Sequence, residues 1–203
     1  MKKTRSLSHS FPPLTGQWCA CLLGIAVALS HPAVNAAGDT KAAKFYEDAL
    51  IRYEKKDLPG AIIQLKNALQ VDKNMLPVQM LLGKALLQSG DVVSAEVAFT
   101  EALRLGVNRA EVVIPLGQVY MAQGKHKLIF EQQQFNPNGL PSSVQLPLQL
   151  LRAAASADLG NLQGALKAVD EARAIDAKAP SVWLAEIPIR IRSRQLAQAR
   201  AAA

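Results

Sequence analysis

Cysteine, histidine and aromatic residues are scarce in this chain of 203 residues. Cys19 and Cys21 both lie near the amino terminus, and His126 is the only histidine after residue 31. A zinc site needs several cysteine, histidine or carboxylate ligands, which one histidine cannot supply. The sequence also lacks a Gly-x-Ser-x-Gly elbow, a phosphate-binding glycine loop and a dinucleotide-binding fingerprint. We therefore expect no metal, no cofactor and no enzymatic activity.

Adjacent carboxylates occur at Glu47-Asp48 and at Asp170-Glu171. A glycosidase needs two carboxylates that converge on one bond. Neighbouring residues of a helix diverge, because only residues three or four apart share a face. Both pairs therefore predict solvated helix faces rather than a catalytic site.

The formal net charge of +7 is concentrated at the two ends of the chain. Lys2, Lys3 and Arg5 lie at the start, and four arginines oppose only Glu186 in the final stretch. These arginines are Arg190, Arg192, Arg194 and Arg200. They could indicate an acidic partner such as a polysaccharide, but the polar face of a final helix is the favoured interpretation. The body is nearly neutral, so we expect no nucleic-acid partner.

The first 36 residues have the features of a secretory signal peptide. A basic start without acidic residues precedes an apolar run from Trp18 to Leu29, and small residues follow. This pattern predicts cleavage after Ala36 and a short linker over residues 37–41. An uncleaved membrane anchor is the alternative, but the run is shorter than the roughly 18–20 residues that a spanning helix needs. We expect an exported protein of a Gram-negative periplasm or envelope, with no membrane-spanning segment after cleavage.

Lipid attachment is not expected. A lipoprotein cysteine follows the apolar run at the cut site, whereas Cys19 and Cys21 lie at the start of that run. Cleavage would leave a chain without cysteine, which suits an oxidising compartment and must be stabilised by packing.

The rest of the chain repeats a residue pattern every 34 residues. Small residues recur at one position, larger apolar residues four residues later, and alanine three residues after that. The copies are Ala61, Leu65 and Ala68; Ala95, Phe99 and Ala102; and Ala165, Val169 and Ala172. This spacing is typical of tetratricopeptide repeats. It predicts an all-α, right-handed superhelical solenoid of antiparallel helix pairs over residues 42–203.

Repeats begin near residues 42, 76, 110, 146 and 180, and the last is incomplete. Repeat two is the strongest copy: Gly83 predicts close helix approach, and Gly90-Asp91 predicts the end of one helix and the cap of the next. Residues 55–60 predict a turn, with Pro59 at the start of the following helix. Residues 160–162 predict another turn.

The pattern decays after Gly124. Gln133 falls on the aromatic position of repeat three, and residues 132–141 predict a helix that frays into a loop. In repeat five, Trp183 falls on the aromatic position, Pro188 predicts an interruption of the first helix, and Ala199 falls on the small position of a second helix.

Several stretches resemble one family more closely than the generic repeat. They are residues 61–70, 81–91, 94–97 and 101–106, which read AIIQLKNALQ, LLGKALLQSGD, SAEV and EALRLG. They resemble the N-terminal part of the PEP-CTERM system TPR-repeat lipoprotein, which is found beside exosortase and exopolysaccharide genes. The resemblance covers roughly residues 42–184 and implies an envelope solenoid linked to exopolysaccharide production and protein sorting. The chain departs from it by lacking a lipobox and by being a much shorter array.

The first helix of each pair lines the concave surface of such a solenoid, and this surface is the candidate site. We expect an apolar groove that takes an amphipathic helix or an extended peptide. The candidate partner-binding residues are Tyr46, Leu50, Tyr53, Met80, Lys84, Leu87, Gln118 and Met121. Ile114, Leu150, Ala154 and Ala157 occupy the same positions in later repeats. The alternative is that several of these side chains pack against adjacent repeats.

These observations favour an interaction scaffold that binds a protein or peptide partner in the cell envelope. One alternative is an accessory or regulatory subunit of a polysaccharide-synthesis enzyme, and another is a truncated remnant of a longer array. The sequence leaves the oligomeric state open.

Overall fold

The computed structural model describes residues 36–202. The predicted signal peptide, apart from Ala36, lies outside the described residues, as do both cysteines. Between residues 36 and 202 the chain forms helices and no strand. The helices are α1 (Ala36–Glu54), α2 (Leu58–Val71), α3 (Leu76–Ser89), α4 (Val92–Arg104), α5 (Arg109–Ala122), α6 (Leu128–Glu131), α7 (Ser142–Asp158), α8 (Leu162–Ile175) and α9 (Pro180–Ala202).

Consecutive helices pack as pairs, and the predicted all-α solenoid is confirmed. Helix α1 packs on α2, α3 on α4 and α7 on α8, and each pair also contacts the next. The residues predicted as a linker, 37–41, lie within α1. The segment continues without a break into the first repeat, although glycine, aspartate and threonine within it have low helix propensity.

The turns within pairs use the same local chemistry. Asp57, Asp91 and Asn161 each accept a hydrogen bond from a backbone N–H three residues later, which caps the second helix. The Gly60 N–H bond, aided by Arg52, lowers the pKa of Asp57. Two predicted positions are confirmed. Pro59 lies in the first turn of α2, and Gly90 ends α3 while Asp91 caps α4.

The residue before each cap has a left-handed backbone. Gly90 and Gly160 have φ values of 87° and 79°, and Gly124 at the corresponding place has 71°. In the first repeat this place is held by Lys56, with φ of 63°. A left-handed conformation costs a residue with a side chain about 1–2 kcal/mol, a cost that glycine avoids.

Replacing Lys56 with glycine is therefore expected to stabilise the protein. Relief of backbone strain is partly offset by the greater entropy of glycine in the unfolded chain, which leaves a gain of about 0.5–1 kcal/mol. Urea unfolding followed by circular dichroism measures this. Lys55→Gly is the matched control and should destabilise, because residue 55 lacks a left-handed backbone. A loss of stability in Lys56→Gly would contradict the interpretation.

A close helix crossing lies in repeat two. Gly83 of α3 and Phe99 of α4 are both buried, and a Cβ atom added to Gly83 would lie 2.6 Å from the Phe99 ring. Real Cβ atoms do not approach rings so closely, so the two helices can meet here only through glycine. The predicted role of Gly83 is confirmed.

Repeat three contains a two-residue insertion. Ile129 is buried and lies 34 residues after Ala95, as the repeat step requires. The next buried aromatic residue, Phe135, instead lies 36 residues after Phe99. Between them, Gln132 has extended backbone, α6 ends, and residues 133–135 form one 3₁₀ turn. Phe135 contacts Tyr120 with ring centroids 5.6 Å apart. The aromatic position is therefore filled by Phe135 and not by Gln133, which is exposed.

The predicted loop after α6 is held in place by long side chains. Arg109 donates to the carbonyl oxygens of Gln133 and Asn138, at 3.4 and 2.8 Å. The Tyr120 hydroxyl donates to Gln132 Oε1 at 3.0 Å, and burial raises the pKa of Tyr120. Helix α7 then begins at Ser142, earlier than the repeat pattern predicts. The carbonyl oxygen of Pro141 accepts from two N–H groups of its first turn, which fixes that start.

Helix α9 is continuous, and the predicted interruption at Pro188 is wrong. Proline removes one intrahelical hydrogen bond, but buried residues on both sides of it, Val182 and Ile189, hold the helix in place. Residue 199 belongs to this same helix and not to a second one. Arg194 occupies the place where Gly160 ends α7, so the sequence supplies no left-handed turn residue there.

A buried carboxylate fastens α9 to α8. Glu186 accepts hydrogen bonds from Arg190 on its own helix and from Arg173 on α8. The Arg190 bond, together with Arg173, lowers the pKa of Glu186. Arg173 also stacks 5.5 Å from the Trp183 ring. Glu186 therefore works as a structural ion-pair centre.

Among the described residues 36–202, the buried apolar side chains form two clusters. One extends from Ala49 to Ala155 and is centred on Phe99, Leu116 and Phe135. The other is formed by α7, α8 and α9 around Val169 and Val182. Helix α7 contributes to both, so it connects the regular repeats to the carboxyl-terminal pair.

Candidate functional site

The first helices of successive repeats form one continuous surface. Helix α1 contacts α3, α3 contacts α5, α5 contacts α7, and α7 contacts α9. We call the solvent-facing side of these helices the inner face. It corresponds to the concave surface of repeat solenoids, on which partners bind.

Two rows of candidate residues are largely buried between neighbouring first helices. One row contains Tyr46 and Met80, and the other contains Tyr53, Leu87, Met121 and Ala157. Met80 is only 6% exposed and Ala157 only 8%, while Tyr46, Leu87 and Met121 are half-buried. Tyr53 accepts a hydrogen bond from Gln88 of α3, which ties α1 to the second repeat. These side chains therefore contribute to packing between repeats, and the inner face is less apolar than the sequence predicts.

A third row remains open to solvent. Lys84, Gln118, Ala154 and Pro188 are exposed, and Leu50 at the start of the row is half-buried. The row carries one cation, one amide and small apolar surfaces. Lys84 and Gln118 are therefore the candidate residues that the structure leaves most accessible.

The inner face contains an apolar pocket between α7 and α9. Its volume is about 230 Å³. The lining residues are Leu150, Ala154, Ala157, Asp158, Ala185, Pro188, Ile189 and Arg192. The α7 residues Leu150, Ala154 and Ala157 lie at positions that the repeat pattern assigns to the groove. A pocket of this size accepts one or two apolar side chains rather than a drug-sized molecule.

The α9 wall of this pocket was missed by sequence reasoning. An interrupted helix at Pro188 would not have formed that wall. Adding 34 to the groove positions 150, 154 and 157 gives Leu184, Pro188 and Ile191, and of these three Pro188 lines the pocket. Extending the repeat step through the proline would therefore have found one residue of that wall, whereas Ala185, Ile189 and Arg192 line it because of how α9 packs on α7.

The polar rim of the pocket is close to electrical neutrality. Arg192 Nη1 donates to the carbonyl oxygen of Ala157 at 2.9 Å and lies 3.8 Å from Asp158 Oδ1. The guanidinium thus satisfies the carboxyl-terminal end of α7. A ligand of this pocket is selected by its apolar shape more than by its charge.

The remaining histidine and acidic side chains that the sequence singled out contact neighbouring side chains of the fold. His126 Nδ1 lies 3.4 Å from Met121 Sδ. Asp48 and Asp170 of the adjacent acidic pairs bind Arg52 and Arg173 of their own helices. In the part of the chain that the structure describes, no three histidine, cysteine or carboxylate side chains come together as a metal site. Within the same part, no helix is both long and apolar enough to span a membrane.

The comparisons with known proteins concern the fold. The chain is similar to the solved structure "MamA RS-1 ArsTM double mutant", with a TM-score of 0.66 and 19% identity over 75% of this chain and 85% of that one. It is also similar to a tetratricopeptide repeat protein from Parabacteroides merdae ATCC 43184, with a TM-score of 0.63 and 16% identity over 74% of this chain and 59% of that one. The sequence matches no protein-family model and no curated protein. The tetratricopeptide repeat fold is therefore shown, and the narrower PEP-CTERM resemblance remains a hypothesis.

Proposed function

We propose that this chain is a non-enzymatic interaction scaffold that binds a protein or peptide on its inner face. The observation that carries the proposal is the pocket between α7 and α9, continuous with the exposed row at Gln118 and Ala154. Repeat solenoids use such extended surfaces for recognition, and side chains of a helix or extended peptide fit a row of this spacing.

The partner is proposed to belong to an exopolysaccharide or protein-sorting assembly of the bacterial envelope. This part rests on two sequence observations, the family resemblance and the signal-like segment. The partner is expected to insert an apolar side chain into the pocket beside Ala154.

Filling the pocket should abolish partner capture. Ala154→Arg places a long side chain in the pocket without disturbing the core, because residue 154 is exposed on α7. The measurement is capture from an envelope extract of the source cell, quantified by mass spectrometry, with an expected loss of about 10-fold or more. Thr100→Arg, on the exposed side of α4, is the matched control. Capture that is unchanged by Ala154→Arg would remove the support for this site.

Export is expected to depend on the first 36 residues. Alkaline phosphatase fused after residue 37 should be active in a Gram-negative host, because the enzyme needs the oxidising periplasm for its disulfides. A matched fusion that lacks residues 18–29 should be inactive, since the apolar run is removed. Equal activity of the two fusions would contradict the export proposal.

A further inference from the structure

We propose that a polar pocket beside the irregular third repeat binds an acidic sugar, namely a uronic acid residue of an oligosaccharide. The pocket lies between α6, the 3₁₀ turn and α7, and its volume is about 260 Å³. It is lined by residues 130–133, by Asn136 and Pro137, and by Arg152. None of these residues lines the pocket between α7 and α9, so the inference does not depend on the proposed inner-face function.

The two-residue insertion of repeat three forms one wall of this polar pocket. Helix α6 ends at Glu131, Gln132 has extended backbone, and residues 133–135 form the 3₁₀ turn. In a regular repeat the second helix continues through these positions, as α4 does from Val92 to Arg104. In repeat three the chain instead leaves the helical path and places amide side chains near α7. This wall is therefore built by residues that the 34-residue pattern does not specify.

Arg152 forms the other wall, at a position that the regular repeats fill with an apolar residue. The corresponding residues of repeats two and three are Leu82 and Leu116, and both are buried. Repeats one and five carry Asp48 and Glu186 there, and each of these carboxylates forms an ion pair with arginine. Arg152 is half-buried and forms no ion pair with any described residue. Because charges inside a fold are ordinarily paired, an unpaired guanidinium in a pocket favours an anionic ligand.

The guanidinium of Arg152 is held in place by its neighbours in the fold. Its Cζ lies 4.9 Å from the centroid of the Phe130 ring, and Nη1 donates to the carbonyl oxygen of Ile129 at 3.4 Å. Stacking on the ring orients the guanidinium plane, and most of its N–H donors stay free. Such a fork binds both oxygens of a carboxylate. Since its orientation is already fixed, binding costs little side-chain entropy.

Two amide side chains of the lining have their carbonyl oxygens occupied and their NH₂ groups free. Gln132 Oε1 accepts from the Tyr120 hydroxyl at 3.0 Å and also from Gln134. Asn136 Oδ1 accepts from the Asn138 N–H at 2.9 Å. These bonds use the acceptor end of each amide and leave the donor end for a ligand. The pocket therefore offers N–H donors from both amides in addition to the guanidinium.

Donors combined with one carboxylate match an acidic sugar. A sugar carboxylate and hydroxyls accept from N–H groups, and a hydroxyl can also donate to Glu131, the carboxylate of this lining. A simple carboxylate ligand has no hydroxyl to donate. The volume is below the range of pockets for drug-sized molecules, which suits a single sugar ring.

An acidic peptide fits the same pocket less well. Peptide recognition commonly uses a sheet edge, an apolar groove or a cluster of arginines. This lining is mostly polar and contains one arginine, Arg152, whose guanidinium covers the Phe130 ring. A peptide would therefore find neither an apolar anchor nor a second cation in this pocket.

The test compares three probes by isothermal titration calorimetry on the purified chain. The probes are a trisaccharide of galacturonic acid, the neutral trisaccharide of galactose and a triglutamate peptide. We expect the galacturonic acid trisaccharide to bind about 10-fold or more tightly than either of the others, because it alone combines carboxylates with hydroxyls. Raising the salt concentration should reduce this preference over the neutral sugar.

Two variants locate the binding in the polar pocket. Arg152→Gln should weaken the acidic trisaccharide about 10-fold or more and remove its preference over the neutral one. Asn136→Asp keeps the oxygen that accepts from Asn138 and replaces the NH₂ donor, so it should weaken binding about 10-fold while the loop is retained. Arg104→Gln, at an exposed arginine of α4, is the matched control and should have no effect. Circular dichroism checks that each variant is folded.

Other results would overturn the inference. No binding of the galacturonic acid trisaccharide, or equal binding of the neutral one, would exclude an acidic sugar as the ligand. Tighter binding of triglutamate would assign the pocket to an acidic peptide. Acidic trisaccharide binding that is unchanged in both Arg152→Gln and Asn136→Asp would place the sugar elsewhere on the chain.

Discussion

Replacing Phe135 with alanine should lower the free energy of unfolding by about 3–5 kcal/mol. The ring is fully buried, packs on Tyr120 and lies beneath Gly117, where an added Cβ would be 3.1 Å away. Its removal leaves a cavity at the irregular repeat, where the 3₁₀ turn that carries it is also tied to Arg109 by a hydrogen bond to Gln133. Urea unfolding followed by circular dichroism gives the value.

Gln133 provides a matched control for this prediction. The strict 34-residue step assigns the aromatic position to Gln133, yet its side chain is exposed. Gln133→Ala should therefore change stability by less than about 0.5 kcal/mol. A large effect at Gln133 with a small effect at Phe135 would mean that repeat three keeps the regular register and that the insertion is misplaced.

Phe99→Ala is expected to cost about 3–5 kcal/mol, and Gly83→Val about 1–3 kcal/mol from overpacking. These two residues are in direct contact where α3 crosses α4, so their effects should be coupled. In the Phe99→Ala background the valine has space, and Gly83→Val should cost less than it does alone, by about 0.5–3 kcal/mol. The four proteins of this double-mutant cycle are compared by urea unfolding.

Additive effects at Gly83 and Phe99 would contradict the close crossing. Gly164→Val is the control, because the three atoms nearest to a Cβ there all belong to the side chain of its own cap residue, Asn161. That change should show no coupling to Phe99→Ala, since α8 belongs to the other apolar cluster.

The turns and caps could be predicted because their causes are local. Asp57, Asp91 and Asn161 each lie three residues before the N–H group that they cap, and Gly90 and Gly160 supply left-handed backbone where a helix must end. These determinants need no information from distant parts of the chain. For the same reason the pairs α3–α4 and α7–α8 follow directly from the spacing.

The path of the chain at irregular positions could not be predicted from the same pattern. Proline is commonly a helix breaker, yet Pro115, Pro147 and Pro188 all lie inside helices. Tertiary packing compensates for one lost hydrogen bond in each case. The displacement from Gln133 to Phe135 depends on the loop held by Arg109, which is a contact between residues far apart in sequence.

The composition of the inner face was only partly predictable. Periodicity grouped Tyr46 with Met80 and Leu50 with Lys84, but it could not say which row faces the neighbouring helix. That depends on how successive first helices pack, with Met80 in the interior and Lys84 exposed. The candidate residues of the open row therefore remain predictions for binding, and the buried ones have a packing role.

The most direct test of inner-face binding is photo-crosslinking in the source cell. A benzoylphenylalanine residue is introduced at Gln118 or Ala154 on the inner face, or at Thr100 on the exposed side of α4. Crosslinked species are detected after irradiation through a tag on the chain. Inner-face binding predicts the same crosslinked partner from residues 118 and 154 and none from residue 100. A partner captured from residue 100 and absent at the other two positions would contradict the claim that the inner face is the binding surface.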